Sequence, residues 1–138
     1  MNEKVLDNGW IVSGMPTKDR LEQVAEGGGL VISLCNESEE SGPEAYIVNM
    51  KGGRFVRVPV SPPLLDIPGY RQKIYDVFEM AGAYDKVFIH CATSNRVGAA
   101  LALYHWERLK EPVDKSIEYG VSAGMQEGLK GFIKSIMS

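Results

Sequence analysis

The sequence predicts an α/β domain: a central, mostly parallel sheet of about four strands with helices packed against it. Three observations carry this. Short strand-like runs alternate with stretches of helical periodicity, and only helical stretches follow residue 97. Alternation of this kind lays strands side by side with helices as their crossovers. The run LVISLC (30–35) and the VFI of 87–89 are continuously apolar, the pattern of strands buried on both faces. Finally, 138 residues with 44% hydrophobic and 24% charged side chains suit one globular domain, 1–138, able to bury a core without disulfide or metal staples.

The elements follow in order. WIVSG (10–14) is short, apolar and stopped by glycine, which makes it the first strand. Behind Pro16, Thr17 is an N-cap; Leu21, Val24 and Ala25 recur at helical spacing, and Gly27, Gly28 and Gly29 end that helix. The second strand is 30–35. NESEESG (36–42) carries three glutamates and reads as a solvated surface turn. Pro43 opens a short helix that Gly52 closes. RFVRVPV (54–60) alternates and is rich in β-branched residues, giving a third strand with Pro59 near its end. SPPLLDIP (61–68) is a loop, after which Tyr70, Ile74, Val77, Phe78 and Ala81 mark an amphipathic helix. The fourth strand, 86–90, leads to a helix over 97–110 that is apolar on most sides and therefore central. Glu111 and Pro112 break it; a short helix over 113–119 follows, and Leu129, Phe132, Ile133 and Ile136 form one face of a last helix. No repeat or low-complexity tract interrupts the chain.

Composition narrows the function classes. A net charge of −3 provides no basic footprint for nucleic acid or for an anionic membrane. The N-terminal stretch lacks the basic-then-apolar layout of a secretory signal, and no run approaches the roughly 18 apolar residues of a membrane span. A cytoplasmic location is the expectation. Two cysteines, Cys35 and Cys91, without an export signal argue for at least one functional thiol rather than a disulfide framework. The competing reading of each is a small buried hydrophobe. Two cysteines and two histidines do not fall at metal-ligand spacing, so neither metal nor cofactor is expected.

Chemistry concentrates between 86 and 98. An apolar strand, a short loop and a helix N-terminus converge there, with Cys91 at the loop's start and Arg96 at its end. Backbone N–H groups and the positive end of a helix dipole make such a junction an anion site. Dipole and guanidinium together stabilise a thiolate, which marks Cys91 as a nucleophile.

His90, Cys91, the loop and Arg96, set between an apolar strand and an apolar helix, resemble the signature of the cysteine-dependent phosphatases. VSG (12–14) before a proline-led helix, VISLCNESEE (31–40) and FVRVPV (55–60) extend the resemblance over 10–119. They point to the beta-lactamase-hydrolase-like branch, a bacterial group near the dual-specificity phosphatases. The resemblance implies a phosphotyrosine phosphatase-like three-layer architecture and hydrolysis of phosphomonoesters through a phosphocysteine intermediate. Cys91 would attack phosphorus and Arg96 would clamp the oxyanion bidentately, with backbone amides from Ala92, Thr93, Ser94, Asn95, Arg96 and Val97. Its partners would be phosphate or another oxyanion, borne by a phosphoprotein or a small phosphorylated metabolite.

Departures from that pattern point to weak turnover. The four residues between Cys91 and Arg96 are one fewer than in the usual phosphatase loop. The shorter spacing recurs in the beta-lactamase-hydrolase-like branch and also matches rhodanese-like sulfurtransferases, whose cysteine carries a persulfide. Ser94 stands where the loop usually has a glycine, and it would resist a positive φ if one is required. Val97 replaces the hydroxyl residue that helps the thiolate leave. Ser61, Pro62 and Pro63 occupy the place where the general acid is usual, leaving Asp66 as the nearest candidate; its other reading is a helix N-cap. His90 is either an orienter of Cys91 or a strand-end histidine satisfied by neighbouring backbone. Cys35 is either a resolving thiol for oxidised Cys91 or an ordinary buried cysteine. His105 reads as a helix-surface residue. Three functions stay open: phosphatase, sulfurtransferase with a Cys91 persulfide, or a catalytically impaired oxyanion-binding module.

Overall fold

A computed structural model describes residues 2–40 and 42–138. Five strands, β1 (Lys4–Val5), β2 (Ile11–Ser13), β3 (Leu30–Ser33), β4 (Arg54–Arg57) and β5 (Val87–His90), form one sheet in the order β1-β2-β5-β3-β4. β2, β5, β3 and β4 run parallel, while β1 lies antiparallel on the β2 edge. The expected count of about four strands missed β1, because its two exposed residues carry no apolar pattern. β4 is shorter than the expected strand, yet the ladder direction persists: Val58 and Val60 donate to Ser33 and Leu34 at 2.9 Å.

The helices are α1 (Lys18–Ala25), α2 (Glu44–Met50), α3 (Pro68–Ala81), α4 (Asn95–Glu107), α5 (Val113–Ser122) and α6 (Glu127–Met137). Two 3-10 turns, Glu37–Glu39 and Pro62–Asp66, sit at strand exits. Local chemistry places the ends. Thr17 caps α1 by accepting from the Arg20 N–H at 3.1 Å, and Gly27 and Gly28 leave it at φ +80° and +92°. Among the described residues no helix is long and apolar enough to cross a membrane.

The sheet separates two apolar cores. Leu21, Val24 and Ala25 of α1 and Val48 of α2 pack with Val31 and Phe88 on one face. On the other, Leu30, Ile32, Val87 and Ile89 meet α3, α4, α5 and α6 in the larger core. Alternation along β3 and β5 sends neighbouring residues to opposite sides, which is why both strands read as unbroken apolar runs. α4 lies deepest, with every residue from Val97 to Leu103 buried. α5 comes so close that a Cβ on Gly98 would lie 2.4 Å from the Gly120 carbonyl oxygen, a contact only glycine permits.

This topology locates the site. β3 leads to α2 on one face and β5 leads to α4 on the other, although the two strands are adjacent. Their diverging connections start at the carboxyl ends of the strands, the position where open α/β sheets bind ligands. Two loops meet there: residues 34–40 after β3 and residues 91–94 after β5.

Candidate active site

The loop after β5 is tied down at both ends. The Cys91 N–H donates to Ser13 of β2 at 3.3 Å, and the Ala92 carbonyl accepts from the Met15 N–H at 3.1 Å. Cys91 is fully buried, whereas Ala92 and Thr93 are exposed. Ser94 adopts φ +71°, and its hydroxyl donates to the Ala123 carbonyl at 2.7 Å. The position thus requires the left-handed backbone that glycine would take freely, and serine pays for it in strain. α4 starts at Asn95, two residues before the expected helix start, because Asn95 and Arg96 are polar and lie outside the apolar periodicity. Arg96 and Val97 therefore stand in the first helical turn, whose N–H groups have no intrahelical acceptor. Among the described residues no backbone carbonyl accepts from the N–H groups of 92–97. Asn95 accepts from the Gln126 N–H at 2.7 Å and so locks the loop to the start of α6.

Arg96 is held from the facing loop. Its Nη1 and Nη2 donate to the two carboxylate oxygens of Glu39 at 3.1 and 2.8 Å, and Nη2 lies 3.8 Å from the Cys35 sulfur. The Arg96 hydrogen bonds, then the Asn36 backbone N–H, hold the Glu39 carboxyl down at about 2. Burial pushes the Cys35 thiol up to about 11, with Arg96 opposing that rise. The run 36–42 is thus no simple solvated turn. Glu40 also points inward, accepting from Arg57 Nε at 2.9 Å and from the Ser33 hydroxyl at 2.7 Å. A run of glutamates carries no sign of which members will find cations; only the approach of β4 and α4 decides that.

Behind the loop, His90 Nε2 meets Glu44 Oε1 at 2.6 Å, with both side chains almost wholly buried. Among the described residues, Glu44 Oε2 and His90 Nδ1 have no hydrogen-bond partner. Neighbouring backbone therefore does not satisfy His90, contrary to one of its two expected readings. Its partner is a carboxylate that sequence reasoning missed, since a glutamate in a helix's first turn is ordinary at the positive end of the dipole.

The remaining candidates are placed as follows. Asp66 closes the second 3-10 turn in an exposed position, and Ile67 occupies the N-cap of α3 without any side-chain cap, so the N-cap reading fails. Pro68 as the first helical residue lacks an N–H, which lessens the need for such a cap. Among the described residues no hydrogen bond or ion pair fixes the Asp66 carboxylate. Cys35 and Cys91 are both free thiols in the larger core. His105 is not simply a surface residue: its ring stacks on Tyr119 at 3.7 Å and its Nδ1 is bonded to Glu111.

No family model matches the chain, and no curated protein matches it. Solved structures do. A glycine-to-alanine variant of Tk-PTP superposes with a TM-score of 0.73 at 18% identity, over 98% of this chain and 93% of the other. A DUF442 protein from Shewanella putrefaciens CN-32 matches with a TM-score of 0.71 at 16% identity, over 98% and 85%. TpbA from P. aeruginosa, as a cysteine-to-serine variant in complex with phosphotyrosine, matches with a TM-score of 0.68 at 11% identity, over 98% and 93%. The fold is that of the cysteine-dependent protein tyrosine phosphatases.

Proposed function

We propose that this protein hydrolyses phosphomonoesters slowly through Cys91. One observation carries the reading: in the first turn of α4, beside unbonded loop N–H groups and Cys91, the Arg96 guanidinium grips a planar oxyanion, the Glu39 carboxylate, through both terminal nitrogens. A phosphoryl group presents the same kind of acceptor edge to an arginine fork.

In the proposed reaction the Cys91 thiolate attacks phosphorus and forms a P–S bond as the P–O bond to the leaving group breaks. Arg96 and the amides of Ala92, Thr93, Ser94, Asn95 and Val97 hold the equatorial oxygens in the transition state. Water then attacks the phosphocysteine, releasing phosphate and restoring the thiolate. Two features slow these steps. Val97 has no hydroxyl to assist thiolate departure, and among the described residues no hydrogen bond or ion pair holds Asp66, the candidate acid. General acid catalysis is worth about 100- to 10,000-fold, so good leaving groups such as aryl phosphates should turn over best. Phosphotyrosine, the ligand bound to TpbA, is of that class; a phosphoprotein or a small phosphorylated metabolite is the proposed substrate.

The test is a p-nitrophenyl phosphate assay run beside a thiosulfate:cyanide sulfur-transfer assay, with Cys91→Ser as control. Slow phosphate release that Cys91→Ser abolishes is the expected result. Sulfur transfer without phosphate release would overturn it in favour of a Cys91 persulfide. Phosphate binding with neither activity would mark an oxyanion-binding module.

A further inference from the structure

His90 and Cys91 leave β5 on opposite faces of the sheet. Ile89 and Cys91 face the larger core, while Phe88 faces α1 and α2, and the His90 ring lies 6.4 Å from that of Phe88. On that side Glu44, in the first turn of α2, reaches His90 Nε2 at 2.6 Å. The two side chains are 1% and 0% exposed, and each keeps one polar atom, Glu44 Oε2 and His90 Nδ1, without a partner. A carboxyl group so placed is costly unless it is hydrogen-bonded, and among the described residues His90 is the one group bonded to it.

We propose that Glu44 is a positioning residue for the anion loop, acting through His90. The Nε2–Oε1 bond ties the end of β5 that carries Cys91 to the first turn of α2, beneath a loop that must accept a thiolate and a phosphate. The pair also fixes the ring of the residue that precedes Cys91, and with it the exit of the loop from β5. A strand end that needed only packing would be served by another apolar side chain, as at Val87, Phe88 and Ile89. The inference rests on the reading of the Cys91 loop as an anion site.

Titration of inorganic phosphate by calorimetry tests it, using the parent protein, Glu44→Leu, His90→Leu and the double variant, each checked by thermal unfolding. Glu44→Leu removes the bond to His90 and should weaken phosphate binding about tenfold. Because Glu44 acts through His90, the double variant should bind within about threefold of His90→Leu alone, a non-additivity not expected of a residue that only packs. If Glu44→Leu fails to fold alone, the double variant, in which neither polar partner is left buried without the other, carries the test and must bind phosphate about tenfold more weakly than the parent. Unchanged affinity in Glu44→Leu, or a double variant in which the two single losses multiply, overturns the role of Glu44. A parent protein that binds no phosphate overturns the anion-site reading itself, a result distinct from either.

Discussion

Ser94 offers the sharpest test of the loop's backbone. It is 2% exposed, sits at φ +71° and ψ −3°, and donates its hydroxyl to the Ala123 carbonyl at 2.7 Å. An L residue in the left-handed region costs about 1–2 kcal/mol that glycine avoids. Glycine in turn loses about 0.4–1 kcal/mol through the freedom it adds to the unfolded chain, and the hydrogen bond contributes about 0.5–1.5 kcal/mol. For Ser94→Gly these effects oppose one another, leaving stability within about 1 kcal/mol of the parent. Ser94→Ala keeps the strain and loses the bond, so it should cost about 1–2 kcal/mol. Urea unfolding followed by tryptophan fluorescence should therefore rank Ala below Gly by about 0.5–1 kcal/mol, although alanine is otherwise the more favourable residue of the two. If Ser94→Ala proves as stable as Ser94→Gly, the left-handed backbone at this position stores no strain and the reasoning fails.

Three further outcomes are expected. Glu39 has a folded-state value of about 2 against an ordinary 4.5, so its contribution is complete above about 4.5 and is lost as pH falls towards 2. Because the carboxylate is partly exposed, that contribution should be about 1 kcal/mol after screening, and Glu39→Gln should flatten the acid limb of a stability-against-pH curve. At the edge of the larger core, Glu107 accepts from Arg71 Nε and Nη2 at 2.8 and 3.1 Å and from the Tyr75 hydroxyl at 2.8 Å. Arg71 is only 5% exposed but Glu107 is about a third exposed, so Glu107→Gln leaves the guanidinium short of charge compensation that water partly supplies and should cost about 1–2 kcal/mol in urea unfolding; a cost under about 0.5 kcal/mol would refute the pairing argument. Cys35 as a resolving thiol would attack a Cys91 sulfenic acid formed by peroxide, expelling hydroxide and closing a disulfide. With its thiol at about 11, that step should quicken about tenfold per pH unit between 7 and 9, as peptide mass spectrometry would show. A pH-independent rate, or no disulfide, would count against it.

How much of this was legible in the chain differs from element to element. β3 and β5 announced themselves as continuous apolar runs because both faces are covered, and Thr17 announced the start of α1 because an N-cap acts within one turn. Cys91 and Arg96 were readable as a pair for the same local reason: strand, loop and helix N-terminus are contiguous, so their convergence needs no distant partner. Ser94 was readable in part, since its place in the loop raised the question of a positive φ that the backbone then answered at +71°. Glu39 and Glu44 were not, because their partners lie 57 and 46 residues away in sequence. Nothing in a glutamate-rich run separates the members that will meet Arg96, Arg57 or His90 from those left in water. β1 escaped for a different reason: two exposed residues on a sheet edge have no periodicity to read.

By itself, then, the sequence determined the α/β class, the order of the central elements and the loop that joins Cys91 to Arg96, all of which depend on periodicity and contacts short along the chain. Tertiary structure decided what the loop faces. Placing β5 between β2 and β3 brings the acidic turn and α2 against its two sides, so that one carboxylate grips Arg96 while another is buried beneath His90. Those contacts join groups far apart along the chain, and long-range pairing leaves no local pattern in it.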